Sequence, residues 1–513
     1  MRCATAFPCF VVLGLLGVTA NPLVGLGDDI QHTLTRFTLQ DGVTPVPHTY
    51  PEDVYEEEDT VYTEHFTQPA FSNYRLRISS PKLCDQSVKQ YSGFLDISES
   101  RHLFFWFFEA RQDPESAPLI MWLNGGPGCS STTGLFFEMG PCAVLQNGRT
   151  ELNPHSWNKV ANVLFLDQPI GTGFSHSTDG SKVDTLADLA VDVYAFLQLF
   201  VSRFPDLGRK QLHLAAESWG GHYGPNIASY VHKMNKRLVY APFPGQKHIN
   251  FASLILANGL TDPAVQFESI PEYMCGGAPY PPFRHDSLDC RSMRAEAPIC
   301  KKMIESCYRF PSKATCDPAT TYCWLRMLGP LSRSGLNPYD LRIPCEDREG
   351  MCYREMHHIE AFMNSHRREL GVYESAPDFV QCNMTVNSAF YYQGQAMLNS
   401  AALLPELVNS GMRLLVFAGN TDGVCNFIGV ERWMLQLEHK FHEGFIRAPN
   451  WEFIVEETGE VGGRVRSAGG YGAGNVTFVQ IYEAGHMAPH DQPEVTLDMI
   501  TRWVRNIPFT VTN

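Results

Sequence analysis

The stretch that decides the fold is Leu212-His213-Leu214-Ala215-Ala216-Glu217-Ser218-Trp219-Gly220. Its first five residues form a mostly apolar run typical of a buried strand, and a helical pattern begins near His222. The tight turn between them would push the Ser218 hydroxyl above a sheet, as a nucleophile elbow does. Ala216 departs from the usual glycine, and we expect its methyl group to be tolerated. Because many serines lie in such loops, this stretch needs support from elsewhere in the chain.

Short apolar runs that each end in a loop recur along the chain. They cover residues 119–123, 163–166, 212–216, 254–257 and 414–417, and the loops after them begin at Asn124, Asp167, Glu217, Asn258 and Gly419. Such continuous apolar strands are typical of a parallel sheet buried on both faces, and ligands bind at the carboxyl edge of such sheets. Residues 186–201 and 227–239 have helical spacing and would cover the faces.

A serine nucleophile needs a base, and the base needs a carboxylate that orients it. Asp422 lies in the loop after the 414–417 run, and His486 lies after the apolar-rich residues 476–482. The chain order serine, aspartate, histidine is the one that α/β-hydrolases use. The competing histidines are His222, His357, His358, His442 and His490, but only His486 lies in a glycine-flanked loop after a late strand. We therefore predict Ser218, Asp422 and His486 as the catalytic triad.

Length, charge and the first residues limit the class of protein. A chain of 513 residues exceeds one typical core, so a large domain with an insertion, or two domains, is expected. The net charge of -15 offers no basic stripe for nucleic acid. Residues 1–20 combine a basic start, an apolar run and a small-residue cleavage site, which favours a signal peptide over a buried helix. No later run is long enough for a membrane anchor.

The rest of the chain divides by composition. Residues 21–75 are acidic and contain proline, which fits a leader or propeptide and equally a peripheral extension of the fold. Residues 76–262 and 401–513 are predicted as the two parts of the hydrolase core. Between them, residues 263–400 break the strand pattern and are predicted as an inserted cap rich in disulfides.

Cysteine usage supports a secreted protein. Eight of the fifteen cysteines lie between Cys275 and Cys352, which in an oxidising compartment predicts a disulfide framework. Zinc is the alternative, but no Cys-x-x-Cys pair occurs, and we expect no metal and no cofactor. Asn383 and Asn475 begin glycosylation motifs. The expected destination is extracellular, with the vacuole as the alternative.

Several longer motifs resemble the serine carboxypeptidase family, which has the α/β-hydrolase fold. They are Trp122-Leu123-Asn124-Gly125-Gly126-Pro127-Gly128-Cys129-Ser130-Ser131, residues 167–175 (DQPIGTGFS), Glu217-Ser218-Trp219-Gly220-Gly221-His222-Tyr223, residues 258–263 (NGLTDP) and Gly485-His486-Met487-Ala488-Pro489. The resemblance covers roughly residues 80–510 and is strongest to secreted fungal members, which have the sequence of residues 220–225 (GGHYGP) after the serine. It implies an enzyme that removes C-terminal residues from peptides and proteins at acidic pH through an acyl-enzyme intermediate.

The resemblance also implies roles for individual residues. Backbone N–H groups of Gly126 and Trp219 would form the oxyanion hole, although a tyrosine is usual at position 219. Residues that bind the substrate's carboxylate or line the pocket for its last side chain would be Asn124, Gly125, Glu138, Glu217, Thr133, Phe137, Cys425 and Met487. Two carboxyls facing a third on the substrate cannot all be ionised, so at least one glutamate should keep a proton.

The disulfides implied by the resemblance use twelve cysteines. The pairs are Cys129–Cys382, Cys275–Cys290, Cys300–Cys323, Cys307–Cys316, Cys345–Cys352 and Cys84–Cys142. Once Cys3 and Cys9 are removed with the signal peptide, Cys425 remains as a free thiol. The implied partners are peptide and protein C-termini, and the chain would be a monomer or a homodimer. A lipase or esterase of the same fold and a non-catalytic binding protein are the rival functions. A dinucleotide enzyme is excluded, because Gly171-Thr172-Gly173 lacks the third glycine of that motif.

Overall fold

The computed structural model describes residues 62–509 except 69–70, 72 and 374–375. The predicted signal peptide (1–20) and the predicted leader up to residue 61 lie outside the described residues. Within the described part of the chain, no helix combines the length and the apolar character needed to cross a membrane.

A 13-stranded mixed sheet organises the molecule. The strands in chain order are β1 (Glu64–Thr67), β2 (Arg75–Ser79), β3 (Gln90–Asp96), β4 (Arg101–Phe108), β5 (Leu119–Leu123), β6 (Cys142–Val144), β7 (Thr150–Leu152), β8 (Asn162–Leu166), β9 (His176–Ser177), β10 (Leu212–Glu217), β11 (Phe251–Ala257), β12 (Leu336–Asn337), β13 (Asp340–Pro344), β14 (Arg413–Gly419), β15 (Trp451–Ile454), β16 (Val461–Ala468) and β17 (Val476–Ile481). The sheet order is β1-β2-β3-β4-β8-β5-β10-β11-β14-β17-β16-β15, with β9 beside β4, while β6–β7 and β12–β13 form separate hairpins. In sheet order, the six central strands β8-β5-β10-β11-β14-β17 run parallel to one another. The strands on either side of this group pair antiparallel.

Helices cover both faces of the sheet, and the two helices predicted at residues 186–201 and 227–239 lie on the same face. The helices are α1 (Leu186–Arg203), α2 (Pro205–Gly208), α3 (Gly220–Tyr240), α4 (Pro263–Glu272), α5 (Leu288–Arg309), α6 (Lys313–Cys323), α7 (Gly329–Ser334), α8 (Glu355–Ser365), α9 (Met384–Tyr392), α10 (Leu404–Asn409), α11 (Phe427–Gln436), α12 (His442–Arg447), α13 (Ala488–Asp491) and α14 (Pro493–Arg505). Short π-helical and 3₁₀ turns occur at Gly134–Glu138, Trp157–Lys159, Tyr273–Gly277, Trp324–Leu328, Gln395–Met397 and Ala401–Leu403.

The central strands are apolar throughout because each has a core on both sides. In β5, Leu119, Met121 and Leu123 pack into the core that contains α1 and α3. Ile120 and Trp122 point the other way, into the core that contains α14. Successive strand residues face opposite sides of a sheet, so a strand covered on both faces needs apolar residues at every position.

The chain between β11 and β14 is mostly helical and carries four disulfides within itself. A fifth, Cys129–Cys382, ties this region to the loop after β5, and Cys84–Cys142 lies outside it. All six predicted pairs are therefore at bonding distance. Among the described residues Cys425 is free and buried.

The end of the predicted leader is part of the sheet. Strand β1, at residues 64–67, pairs antiparallel with β2, and Arg203 of α1 forms an ion pair with Glu64. Residues 64–67 therefore fit the alternative prediction for this segment, a peripheral extension of the fold. Because β1 is an edge strand with alternating exposure, its sequence lacks the continuous apolar run by which the central strands are recognised.

Candidate active site

Ser218 lies at the sharp turn between β10 and α3. Its φ of 62° is in the left-handed region, which non-glycine residues rarely adopt and which a nucleophile elbow requires. The Ser218 N–H donates to Ala257 O at 3.0 Å, and its carbonyl accepts from the N–H groups of Gly221 and Leu260, both at 2.9 Å. These bonds hold the strained turn at the carboxyl edge of the sheet.

The Ala216 methyl group is tolerated because position 220 is glycine. A Cβ on Gly220 would lie 2.8 Å from the Ala216 Cβ, which is closer than two carbon atoms that are not bonded to each other can approach. The strand and the helix therefore approach each other closely here, with alanine on the strand side and glycine on the helix side.

His486 and Asp422 meet near the elbow. His486 Nδ1 lies 2.7 Å from Asp422 Oδ2, and both side chains are almost fully buried. The second oxygen, Asp422 Oδ1, accepts from the backbone N–H groups of Val424 at 2.8 Å and Cys425 at 3.2 Å. Because the carboxylate bonds Nδ1, the other ring nitrogen, Nε2, is left for the serine, and it has no partner among the described residues.

Asn258 is a site residue to which the sequence analysis assigned no role. Its Nδ2 donates to Asp422 Oδ2 at 2.8 Å and contacts Gly485 O at 3.4 Å, and its φ of 45° is left-handed. It follows β11, as Ser218 follows β10, so the carboxyl ends of neighbouring parallel strands bring these groups together. The available signal was its place as the first polar residue after a buried strand.

Asn124, Glu138 and Glu217 form one buried cluster, as the sequence analysis expected. Asn124 Nδ2 donates to Glu138 Oε1 at 3.1 Å and to Glu217 Oε1 at 3.2 Å. Asn124 Oδ1 accepts at 2.8 Å from both Trp122 Nε1 and Gly134 N, which fixes the amide so that its NH₂ group faces the carboxyls. The three side chains come from the ends of β5 and β10 and from the turn at Gly134–Glu138.

The two glutamates cannot both be ionised at this site. Burial raises the pKa of both carboxyl groups, and the charge and hydrogen bond of Glu138 raise the pKa of Glu217 further, to well above its usual value. The pair therefore shares a proton, which makes one of the two carboxyls a neutral hydrogen-bond donor.

A cavity of about 100 Å³ joins this cluster to the elbow. It is lined by Ser218 and His486 and, from the predicted binding set, by Asn124, Gly125, Gly126, Thr133, Glu217, Trp219, Cys425 and Met487. Trp324 and Tyr391 also line it, and the Tyr391 ring lies 5.3 Å from the Trp219 ring, so one wall is aromatic. The indole at position 219 thus contributes to a large apolar surface next to the nucleophile.

The glycines beside the nucleophile permit a close backbone approach. A Cβ on Gly125 would lie 2.4 Å from Trp219 N and 2.6 Å from Glu217 O. Gly126 has a φ of 107° and lines the cavity together with Trp219. This places the two backbone segments predicted to form an oxyanion hole side by side.

Phe137 is not among the residues that line this cavity. Its ring stacks on His490 with 3.9 Å between ring centroids and packs against Tyr353 at 4.9 Å. Phe137 lies in the π-helical turn Gly134–Glu138.

Ligand atoms of Asp422, Cys425 and His486 lie within 4.8 Å of one another, which is the spacing of a metal site. The chemistry of the three groups does not suit a resident ion. Asp422 and His486 already bond each other, and burial together with the charge of Asp422 raises the pKa of the Cys425 thiol well above its usual value. A protonated thiol is a poor metal ligand.

Comparison with known proteins agrees with this geometry. Residues 81–506 match the serine carboxypeptidase family of peptidases. The chain is 41% identical over 437 residues to carboxypeptidase Y homolog A of Coccidioides posadasii, covering 84% of this chain and 78% of that protein. It is 36% identical over 501 residues to carboxypeptidase Y of Candida albicans, covering 96% and 88%. The crystal structure of Kex1Δp, a prohormone-processing carboxypeptidase from Saccharomyces cerevisiae, superposes with a TM-score of 0.70 at 25% identity and covers 83% of this chain and 94% of that one. The chain therefore belongs to the serine carboxypeptidase family.

Proposed function

We propose that this enzyme releases one residue at a time from the C-terminus of peptides and proteins, at acidic pH, with Ser218, His486 and Asp422 as its catalytic triad. The observation that carries the proposal is the buried cluster of Asn124 and Glu217, which opens into the same cavity as Ser218 and His486. The cluster offers hydrogen-bond donors to a carboxylate, and the elbow offers a nucleophile.

The chemistry follows from the protons that these groups hold. His486 Nε2 takes the proton of Ser218 Oγ while that oxygen attacks the last peptide carbonyl. The N–H groups of Gly126 and Trp219 bond the oxyanion, and each such donor is worth about 3 kcal/mol in the transition state. His486 then gives its proton to the departing amino group, which leaves an acyl-enzyme on Ser218. A water molecule reverses the steps: it attacks the ester, His486 takes its proton, and Ser218 leaves as the alcohol.

Recognition of the substrate's carboxylate requires an acidic solution. The Asn124 amide donates whatever the pH, whereas Glu217 donates only while it holds its proton. Below the raised pKa of the pair the substrate's carboxylate finds two neutral donors. Above it, the same carboxylate meets a negative charge in a buried site, which disfavours binding.

A set of three substrates distinguishes this function from that of an esterase. The substrates are an N-blocked dipeptide with a free C-terminus, the corresponding C-terminal amide and a simple ester. Asn124→Ala should lower kcat/KM for the free acid by at least about tenfold more than for the ester, because only the acid uses the lost donor. Asn235→Ala is the matched control, since its amide also bonds backbone groups, at the far end of α3, and should leave the ratio unchanged. An equal loss on all three substrates in Asn124→Ala would favour the esterase.

A catalytic role also separates this chain from a non-catalytic binding protein of the same fold. An organophosphate should label the wild type at Ser218, and Ser218→Ala should lose both the label and the release of C-terminal residues. Labelling at any other residue, or release by Ser218→Ala at the wild-type rate, would contradict the triad.

The proposed location is extracellular, with the vacuole as the alternative. The predicted signal peptide and the six cysteine pairs support an oxidising destination. Of the two predicted glycosylation sites, Asn383 uses its side chain to cap α9 and to donate to Gly171 O at 2.8 Å, whereas Asn475 has no such structural task in the described contacts. Mass spectrometry of the exported protein would identify the first residue and the glycosylated sites, and light scattering would decide between monomer and homodimer.

A further inference from the structure

The β12–β13 hairpin, which belongs to the region between β11 and β14, bridges the two loops that carry Asp422 and His486. It lies outside the main sheet, and its turn is formed by Pro338 and Tyr339. Three backbone hydrogen bonds connect it to the loops: Leu341 N to Thr421 O at 3.0 Å, Gly423 N to Pro338 O at 3.0 Å and His486 N to Tyr339 O at 2.7 Å. The hairpin therefore holds Thr421 and Gly423, which flank Asp422, and it also holds the backbone N–H of His486.

Side chains make a second, parallel connection. Thr421 Oγ1 donates to Asp340 Oδ1 at 2.9 Å, and Arg342 Nε donates to the same oxygen at 2.9 Å. Arg342 Nη2 lies 2.8 Å from Asp340 Oδ2 and 3.1 Å from Asp491 Oδ2. The Gly485 N–H donates to Asp491 Oδ2 at 2.6 Å. An unbroken polar path thus runs from the residue before Asp422 to the residue before His486. We call Asp340, Arg342 and Asp491 the clamp.

The clamp is shielded enough for its charges to matter. The side-chain exposures are 3% for Asp340, 24% for Arg342 and 12% for Asp491, in contrast to the fully solvated pairs that contribute little. The guanidinium forks onto Asp340 with two parallel bonds, Nε to Oδ1 and Nη2 to Oδ2, which fix orientation as well as distance. Arg342 Nη1 also donates to Glu483 O at 2.7 Å. The arginine therefore contacts the chain both before His486, at Glu483, and after it, at Asp491.

Position 485 shows how tightly the hairpin and the His486 loop fit. A Cβ on Gly485 would lie 2.3 Å from Tyr339 O and 2.9 Å from the Asp340 Cβ. On the other side, a Cβ on Gly419 of the Asp422 loop would lie 2.1 Å from Gly485 O. The three segments are in direct backbone contact, so a shift of the hairpin displaces both loops.

We propose that Asp340, Arg342 and Asp491 are positioning residues, which set the separation and orientation of Asp422 and His486 and thereby the proton transfer from Ser218. The proposal rests on the triad of the proposed function. None of the three residues lines the cavity, so they act through the loops and make no contact with the substrate. Misplacing a catalytic group by about 1 Å can lower the rate a hundredfold, and the clamp connects the loops that carry both groups.

The test compares Arg342→Met, Arg342→Lys and a control, Arg101→Met, using the free-acid dipeptide substrate. Arg101 pairs with Asp192 at 2.5 Å in a similarly shielded setting on β4 and α1, away from the cavity. For Arg342→Met we expect kcat to fall at least about tenfold while KM changes less than about twofold, because none of the three clamp side chains lines the cavity. Arg342→Lys keeps the charge without the fork and should recover part of kcat. Arg101→Met should keep the wild-type kcat per folded molecule, even where its melting temperature falls equally.

The following results would overturn the proposal. Unchanged kcat in folded Arg342→Met overturns it, and so does a loss of kcat that Arg101→Met matches. If Arg342→Met does not fold, Thr421→Val removes only the hydroxyl bond to Asp340 and decides the question. We then expect kcat to fall about threefold with KM unchanged, and a wild-type kcat overturns the proposal. Failure of the triad itself is recognised separately, since Ser218→Ala would then remain active.

Discussion

Glu217→Gln is the substitution that most directly tests how this enzyme recognises a chain end. In the wild type, burial and the neighbouring Glu138 raise the pKa of Glu217, so the carboxyl is a donor in acid and becomes an anion as the pH rises through that raised pKa. Affinity for a free-acid substrate should therefore be highest at low pH and fall with increasing pH. Glutamine has nearly the same shape, donates through its amide at every pH and cannot ionise.

The size of the effect can be worked out from the bond that is lost. A hydrogen bond to a charged group contributes about 1.5–3 kcal/mol, and about 2 kcal/mol corresponds to roughly a thirtyfold change in KM. We expect KM for an N-blocked dipeptide acid to rise by about that factor between roughly pH 4 and pH 8 in the wild type. In Glu217→Gln the KM should stay within about threefold of its acidic value, which is the range that a neutral hydrogen bond leaves open.

The assay measures KM and kcat separately across this range, with the C-terminal amide of the same dipeptide as the control substrate. The amide lacks the carboxylate, so its KM should not share the steep rise. Glu138→Gln is a second variant, which should keep the rise in KM but move it to lower pH. Removing the charge next to Glu217 lowers the pKa of that group, so the rise in KM should begin at lower pH than in the wild type. A flat wild-type KM, or a slope that persists in Glu217→Gln, would refute the reasoning.

The remaining predictions concern single contacts in and around the cavity. Asn258→Leu removes the amide that holds Asp422 Oδ2 at 2.8 Å, and steady-state kinetics should show kcat reduced about tenfold with little change in KM. Gly125→Ala places a Cβ 2.4 Å from Trp219 N, so kcat should fall about a hundredfold while circular dichroism still shows a folded protein. Cys425 has a raised pKa, and iodoacetamide at pH 8 should alkylate it slowly in the native enzyme and rapidly after denaturation, as followed by mass spectrometry. Rapid native alkylation would show that the thiol is ionised.

The sequence was sufficient to predict the carboxyl edge of the sheet because each central strand carries its own signal. Residues 119–123 and 414–417 are apolar at every position, since both sides of each strand are buried, and the loops that follow them carry the polar groups. Parallel strands then bring distant loops together without further information. For that reason Ser218, Asp422 and His486 are found in one place although the last two are 64 residues apart.

Other parts of the site depend on contacts that leave no local pattern. The β12–β13 hairpin is short and lies in a cysteine-rich helical region, and only the folded chain shows that it contacts the Asp422 and His486 loops. Strand β1 is half exposed, so its composition resembles that of a leader. Phe137 follows Thr133, which lines the cavity, but the Phe137 ring stacks on His490 with 3.9 Å between ring centroids. In each case a tertiary contact, not propensity, decides the outcome.

Selection of the chain end follows from the distance between the nucleophile and the carboxylate site. Glu217 and Ser218 are consecutive residues, and one residue of extended chain spans only about 3.3 Å. A carboxylate held by Glu217 and Asn124 therefore belongs to the residue directly after the peptide bond that Ser218 attacks. An internal peptide bond would instead bring a neutral amide and further chain against two buried carboxyls, inside a cavity of about 100 Å³. That arrangement leaves buried polar groups unpaired, at a cost of about 1–3 kcal/mol each, before any steric conflict is counted. In the proposed function, adjacency in the chain and burial thus favour release of the last residue over cleavage of an internal peptide bond.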